Sequence, residues 1–583
     1  MALHLHLSNS LEKLADSFAE KLCLPLMGSN DPFQAVYAVV PNSGMGMFLK
    51  RRLARRNNLA ISANIETPFL QKFLTDRICS FFTEEECEAF RDSMHFWSPD
   101  VLSWRLDSIL SAVPEEFPEL SAYCTGDPVR RHLLACEFAG NFDRYQLYRS
   151  SVTGNKTLAQ WRRGEGKDVQ SRLYHKLCAQ TPDPDSFYVR FMECAAPRRT
   201  LPERIGIFGL STMPALYFHC LEKLAGFMEI HLFSPSPCQT YWGDIKSRSE
   251  TAKELLKDPD HAAELLEESA AGNQLLADFG ITGREFFNLL LDRDCFSGED
   301  QQEDYTDPVD KSENALHLFQ SDILNARNRV EKYTPAPDDR SVRINCCTDA
   351  RRELEILHDQ LLELFYSKDK KCRGKKTVKV TRDLGPEDVI VMFPDINKAA
   401  PMIDAVFSNG PFKGRYAICD RSSIGQSQVI ESFNRLLNLP SARVTSEEIL
   451  QLLEFGCINS KLKIAPEALP ELADLVSRLR INWGLDHTEH DRFRMTPFEE
   501  FSWQDGIERL LTEYARGEDA SVIYDSDKTG GIDGELAENF ASLAEFIELL
   551  KEWRSTLHVP RTPEAWSEFT LLWINNFFSG TSK

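Results

Sequence analysis

No apolar run in this 583-residue chain approaches the length of about 18 residues that a membrane-spanning helix requires. Its 15 cysteines include no C-x-x-C pair, and adjacent Cys346 and Cys347 would project to opposite faces of a strand. That arithmetic points to reduced, mostly buried thiols rather than a disulfide frame or a cysteine-zinc site. Among 13 histidines the tightest group is His487-Thr488-Glu489-His490, which is not H-E-x-x-H and reads as an exposed polar turn. No metal site is expected. Residues 1–7 alternate like a strand and lack the charged head and cleavage site of a secretory signal, so a cytoplasmic protein is expected.

The most informative absence lies at 36–48. Residues 36–40 (Val-Tyr-Ala-Val-Val) read as a buried strand, 41–47 as a glycine-containing turn, and 48–53 as the start of a helix. Strand, glycine turn and helix are the setting of a phosphate loop. The chemistry of that loop needs a lysine for the phosphates and a hydroxyl for Mg²⁺ in the spacing G-x-x-x-x-G-K-[ST]. Pro41, Asn42, Ser43, Gly44, Met45 and Gly46 are followed by neither at the motif positions, and no other glycine-lysine run in the chain has the spacing. Gly44 and Gly46 serve equally well as a plain tight turn.

A net charge of −22 argues against bulk attraction to nucleic acid. It leaves room for a locally basic channel, because phosphate contacts depend on where the cations sit. Lys50, Arg51, Arg52, Arg55 and Arg56 form one basic cluster and residues 368–379 another; each also fits a solvated face.

Strand-like and helix-like segments alternate at first, with a short strand expected at 60–65. Helical periodicity then holds over about 69–148, carried by Phe73, Ile78, Trp104, Leu106, Leu133, Phe138 and Phe142. Strands at 205–208 and 229–233 flank a helical run at 213–224, a parallel β-α-β unit by the length of its crossover. The acidic stretch 255–314 reads as a surface insertion or loop, 315–324 as a helix, and 334–339 as the clearest linker. A second α/β unit is expected from strands at 342–346 and 389–393 around a helix at 350–365, with helices from about 428 onward.

Several runs together resemble the N-terminal half of the RecC family, the gamma subunits of exodeoxyribonuclease V. They include 6–11 (His-Leu-Ser-Asn-Ser-Leu), 63–66 (Ala-Asn-Ile-Glu), 142–145 (Phe-Asp-Arg-Tyr), 207–211 (Ile-Phe-Gly-Leu-Ser), 229–233 (Glu-Ile-His-Leu-Phe), 241–244 (Tyr-Trp-Gly-Asp), 319–324, 351–355, 436–440 and 483–486. The resemblance is collinear over nearly the whole chain. It implies an α/β fold of two superfamily 1 helicase-like (RecA-like) parallel-sheet domains with large helical insertions and a degenerate ATP site. The first such domain would comprise 1–100 and 200–335, split by a helical domain at 100–200; the second would lie at 340–430, with a helical domain at 430–583. Relatives continue into a nuclease-like domain, so the sequence is expected to be a fragment or the product of a shortened gene.

By the same resemblance the chain would be a non-catalytic channel and scaffold subunit in the bacterial cytoplasm. It would split duplex ends and guide single strands, with possible Chi-like sequence recognition. RecB-like helicase-nuclease and RecD-like helicase partners would use ATP and Mg²⁺, and this chain would bind no catalytic cofactor. DNA-channel candidates are Ser43, Gly44, Met45, Lys50, Arg51, Phe69, Asp143 and Arg149. Pro41, Met47, Thr75 and Gly140 depart from the family's Chi-contacting residues, so the same octamer is not expected to be read. Asp143 and Arg149, about 240° apart on a helix, also fit a solvated surface pair, and Phe69 and Tyr145 fit either base stacking or packing. Pro394-Asp395 opens like a nuclease metal motif but lacks the second carboxylate and lysine. Two other readings stay open: an interaction module without DNA contact, and an ATP-dependent helicase with an atypical phosphate loop.

Overall fold

A computed structural model describes residues 3–23, 35–56, 62–112, 117–124, 126–257, 272–291, 301–310, 312–329, 332–366, 385, 388–419, 427–439, 442–487, 500–516 and 534–579. The chain divides into two compact units, Met1–Arg343 and Ile344–Lys583.

The first unit is built on a parallel sheet of six strands: β1 (Leu3–Ser8), β2 (Val36–Val39), β3 (Ile65–Glu66), β4 (Arg204–Phe208), β5 (Glu229–Pro235) and β6 (Gln301–Glu303), in the order β3-β2-β4-β5-β1-β6. Side-chain alternation explains why it is buried on both faces. Leu3, Leu5, Leu7, Val39, Ile205, Ile207, Ile230 and Leu232 point into one core. Ala38, Val40, Phe208 and Phe233 point the other way, against Leu14 and Phe18 of α1 (Leu11–Phe18) and Leu49 and Leu53 of α2 (Ser43–Arg56). The parallel β4-helix-β5 unit is as expected, with the register Ile205↔Ile230 and Ile207↔Leu232.

Between β3 and β4 the chain is helical: α3 (Leu70–Ile78), α4 (Glu84–Phe96), α5 (Pro99–Ala112), α6 (Pro118–Cys124), α7 (Pro128–Tyr148), α8 (Thr157–Arg162), α9 (Val169–Cys178) and α10 (Pro184–Glu193); α11 (Ala215–Leu224) then links β4 to β5. Leu106, Phe138, Phe142 and Trp161 share a core in this block. Trp104 and Leu133, which fit the same periodicity, are instead exposed. The Trp104 ring lies against His132, tilted by 36° with centroids 4.3 Å apart.

Three sequence expectations change. The strand expected at 60–65 is only Ile65–Glu66, with 60 and 61 outside the described residues. The acidic stretch 255–314 contributes structure: helices Gln274–Phe279 and Ile281–Leu291, the latter burying Phe286 and Leu290, and edge strand β6, paired to β1. Backbone ladder bonds need no apolar side chain, which is why an acidic segment can supply an edge strand. Residues 342–346, which straddle the boundary between the units, and 389–393 in the second unit form no ladder among the described residues. Val342, Ile344, Ile390, Val391 and Met392 are exposed, and their apolar pattern reports β propensity. The described part of this unit is helical. Helices Ala350–Tyr366 and Ile396–Phe407 pack around Leu354, Ile403, Phe407 and Phe412. A larger core centred on Leu436, Leu452, Leu475, Trp503, Leu543 and Trp553 joins the helices from Gln428 to Phe577. A second sheet domain is therefore not part of the described fold.

Helix Ala315–Leu324 matches its sequence reading, and its first N–H is held by Asp339 at 2.9 Å, from the segment read as a linker. The basic run 368–379 and residues 488–490 lie outside the described residues. The described cysteines are all free thiols. Among the described residues no helix is long and apolar enough to cross a membrane.

Candidate functional site

Open parallel sheets bind ligands outside the carboxyl ends of their strands, where neighbouring strands connect in opposite directions. Here that point lies between β2, whose chain passes outward to β3, and β4, whose chain passes the other way to β5. The crevice is bordered by Pro41, Asn42 and Ser43 after β2 and by Gly209 after β4.

No phosphate loop spans it. The helix begins at Ser43, five residues earlier than its sequence reading, leaving Pro41 and Asn42 as the connection from Val40. The Met45 N–H donates to Asn42 Oδ1 at 2.9 Å and the Gly46 N–H to the Asn42 carbonyl at 3.3 Å, so Asn42 closes the first turn as an N-cap. Gly44 and Gly46 are thus helical residues and not the pivots of a turn. Gly46 is small for a packing reason: a Cβ there would meet the Thr67 side chain at 3.2 Å. The Met45 side chain lies over Gly209, whose φ is +74°. A Cβ on Gly209 would meet Met45 Cε and Sδ at 3.1 Å. An apolar thioether, with no positive charge, therefore borders the place where a nucleotide phosphate would need a lysine.

Around this junction Pro41, Asn42, Ser43, Met47 and Arg51 are exposed, and Lys50 is half-buried. Phe69 adjoins them, since Val40 bridges to Phe69 and its N–H donates to the Pro68 carbonyl at 3.1 Å; Phe69 is 53% exposed. Other cations of α2 are committed elsewhere. Arg52 pairs with Asp16 at 2.8 Å, and that hydrogen bond holds its guanidinium more firmly charged. Arg56 pairs with Glu20 at 2.7 Å.

Asp143 and Arg149 sit in the helical block and turn to different neighbours. Asp143 is half-buried on α7, and burial pushes its carboxyl pKa up against the opposing pull of Arg144. Arg149, capping α7, folds its guanidinium over the Tyr145 ring at 4.2 Å. Tyr145 donates its hydroxyl to Gln170 Oε1 at 3.0 Å and packs edge-on to Trp161, so its ring is part of the block's packing. Of the sequence candidates, Ser43, Gly44 and Met45 form the first turn of α2, after the Val40–Phe69 bridge; Lys50 and Arg51 lie farther along the same helix, and Asp143 and Arg149 lie in the helical block.

One cluster was not legible as a motif. His4, Glu229 and His231 meet on β1 and β5 with ligand atoms within 4.8 Å of one another. The signal is a histidine alternation in β1, His4 and His6, and a Glu-x-His spacing in β5, which become a cluster only in the β1–β5 register.

The sequence models of two domains match: "RecC, N-terminal domain" over residues 3–326 and "RecBCD enzyme subunit RecC fourth domain" over residues 426–583. The chain is 30% identical to the RecBCD enzyme subunit RecC of Escherichia coli K12, over 94% of this chain and 51% of that protein. It is 26% identical to the RecC of Haemophilus influenzae, over 98% and 54% respectively, and 27% identical to that of Mycolicibacterium smegmatis, over 97% and 51%. The chain thus spans about half the length of the curated relatives it matches. With the N-terminal domain alone accounting for more than half of its residues, the chain belongs to the RecC family.

Proposed function

We propose that this chain is a non-catalytic, DNA-guiding scaffold subunit of a RecBCD-type helicase-nuclease, acting on double-strand ends with RecB-like and RecD-like partners that hydrolyse ATP. Family membership supplies the setting, since the relatives are named subunits of the RecBCD enzyme. The observation that carries the non-catalytic part is the Met45–Gly209 contact over the crevice between β2 and β4, beside a helix that starts without a phosphate loop.

In this reading the sheet unit keeps a helicase-like scaffold and uses its carboxyl edge as a wall for DNA. Lys50 and Arg51 contact phosphate, and exposed Phe69 stacks on an unpaired base. Asp143 and Arg149 serve the same channel from the helical block. Residues 340–430 correspond to a second helicase-like domain, and the chain holds no nucleotide or Mg²⁺ of its own. The test is paired: equilibrium binding of ATP-Mg²⁺ and of a blunt duplex end to the purified chain. Salt-sensitive end binding without ATP binding is expected. Saturable ATP binding would favour a helicase with an atypical loop, and absence of end binding would favour an interaction module.

A further inference from the structure

Strands β1 and β5 pair in parallel with His4 opposite His231 and His6 opposite Phe233. Period-2 alternation then puts His4, His6, Glu229 and His231 on one face, at the amino-terminal ends of the strands. Glu229 Oε1 lies 3.6 Å from His4 Nε2 and 3.0 Å from His231 Nε2. A tetrahedral ion with ligand bonds of about 2.0–2.2 Å has its ligands roughly 3.4 Å apart, so the two edges to Glu229 match those of such a shell, while the His4 and His231 rings lie face to face with centroids 4.7 Å apart.

We propose that His4, Glu229 and His231 form a binding site for a zinc-class divalent ion. Two imidazoles and one carboxylate suit zinc, whereas Ca²⁺ and Mg²⁺ take mostly oxygen. The surroundings are those of a metal site. With Nε2 of His231 on the ion, its Nδ1–H donates to His6 Nε2 at 3.0 Å, the outer hydrogen bond that fixes a ligating imidazole's tautomer. Arg204 reaches the other carboxylate oxygen of Glu229, Oε2, at 3.6 Å. His231 is 5% exposed, while His4 at 28% and Glu229 at 34% leave a side open for the ion to enter and for water as the fourth ligand. The ligands come from strands more than two hundred residues apart in the sequence. The ion therefore clasps the first strand to β5, on the strand edge opposite the Met45–Gly209 crevice, and serves structure.

The test uses the purified full chain, stripped with a chelator and titrated with Zn²⁺ alone, with His4→Ala and Glu229→Gln beside it and circular dichroism as the check on folding. The site predicts one tight equivalent, a first shell of nitrogen and oxygen by X-ray absorption, a zinc-dependent rise in the unfolding temperature, and at least tenfold weaker binding in both variants. Absence of a tight equivalent, sulfur in the first shell, or unchanged affinity in a folded variant would overturn it. Glu229→Gln removes one ligand charge with little change of volume and carries the test should His4→Ala fail to fold.

Discussion

The Met45 side chain covers Gly209, so that a single methyl group on Gly209 would come within 3.1 Å of Met45 Cε and Sδ. Two costs are combined there, because Gly209 also sits at φ +74°, a region that L side chains rarely adopt. Gly209→Ala is expected to destabilise the first unit by roughly 1–3 kcal/mol, read as a lower urea midpoint. Adding Met45→Ala should relieve the packing share and leave the backbone share, giving a coupling energy of about 0.5 kcal/mol or more. Strict additivity would show that the two residues do not press on one another.

Arg162 holds two fully buried carboxylates, donating to Asp183 at 3.0 Å and to Asp185 at 2.8 Å. Tyr174 also donates to Asp183, and Ser150 and Ser151 donate to Asp185 at 2.6 Å each. Removing the guanidinium leaves buried negative charge without its cation, so Arg162→Ala should cost about 3–5 kcal/mol. Chemical denaturation at neutral pH measures it; a loss below about 1 kcal/mol would mean that water reaches the carboxylates.

Glu250 gives the sheet unit an acid-sensitive point. Its hydrogen bond from Arg284, reinforced by the Ser247 N–H at 2.8 Å, lowers its pKa from 4.5 to about 2. Below pH 4.5 the unfolded chain takes up this proton before the folded one does, so the contribution is complete above 4.5 and fades as pH falls toward 2. The stability difference between wild type and Glu250→Gln should therefore be constant near neutrality and shrink across that window. A difference that stays flat from pH 5 to pH 3, to be followed by denaturant titration, would contradict the pairing.

Replacing Lys50 and Arg51 by alanine should weaken binding to DNA ends without sequence preference and reduce the log K against log salt slope by about 1–2, given roughly 0.9 per duplex phosphate and 0.7 per single-strand phosphate. Phe69→Ala should instead weaken single-strand binding by about 1–3 kcal/mol with an unchanged salt slope. Fluorescence titrations over a salt series separate the two effects.

Much of the first unit was legible because its strands are buried on both faces and its crossovers are helices. The runs at 36–40, 205–208 and 229–233 stand out as apolar, and helix Ala315–Leu324 ends where its periodicity does. What stayed hidden depended on partners distant in sequence. Residues 342–346 and 389–393 carry the apolar pattern of strands and form no ladder among the described residues, because such a pattern does not by itself specify a pairing partner. Residues 301–303 show the reverse: no apolar signal, and a ladder to β1 nonetheless. At the candidate site the absence of the motif's lysine and hydroxyl after the second glycine was readable, but the glycines misled. Gly44 suggested a turn and is helical, and Gly46 is small because Thr67 lies against it. The histidines of β1 and β5 became a cluster only through a register spanning more than two hundred residues.

The most direct measurement of the central claim is purification of the tagged chain from its own cells, with co-purifying chains identified by mass spectrometry and the assembly assayed for ATP-dependent unwinding from a duplex end. The account predicts RecB-like and RecD-like chains in fixed ratio with the bait, and unwinding that is lost when the partners' nucleotide sites are disabled. A bait free of such partners, or an assembly whose unwinding requires a nucleotide bound by this chain, would contradict it.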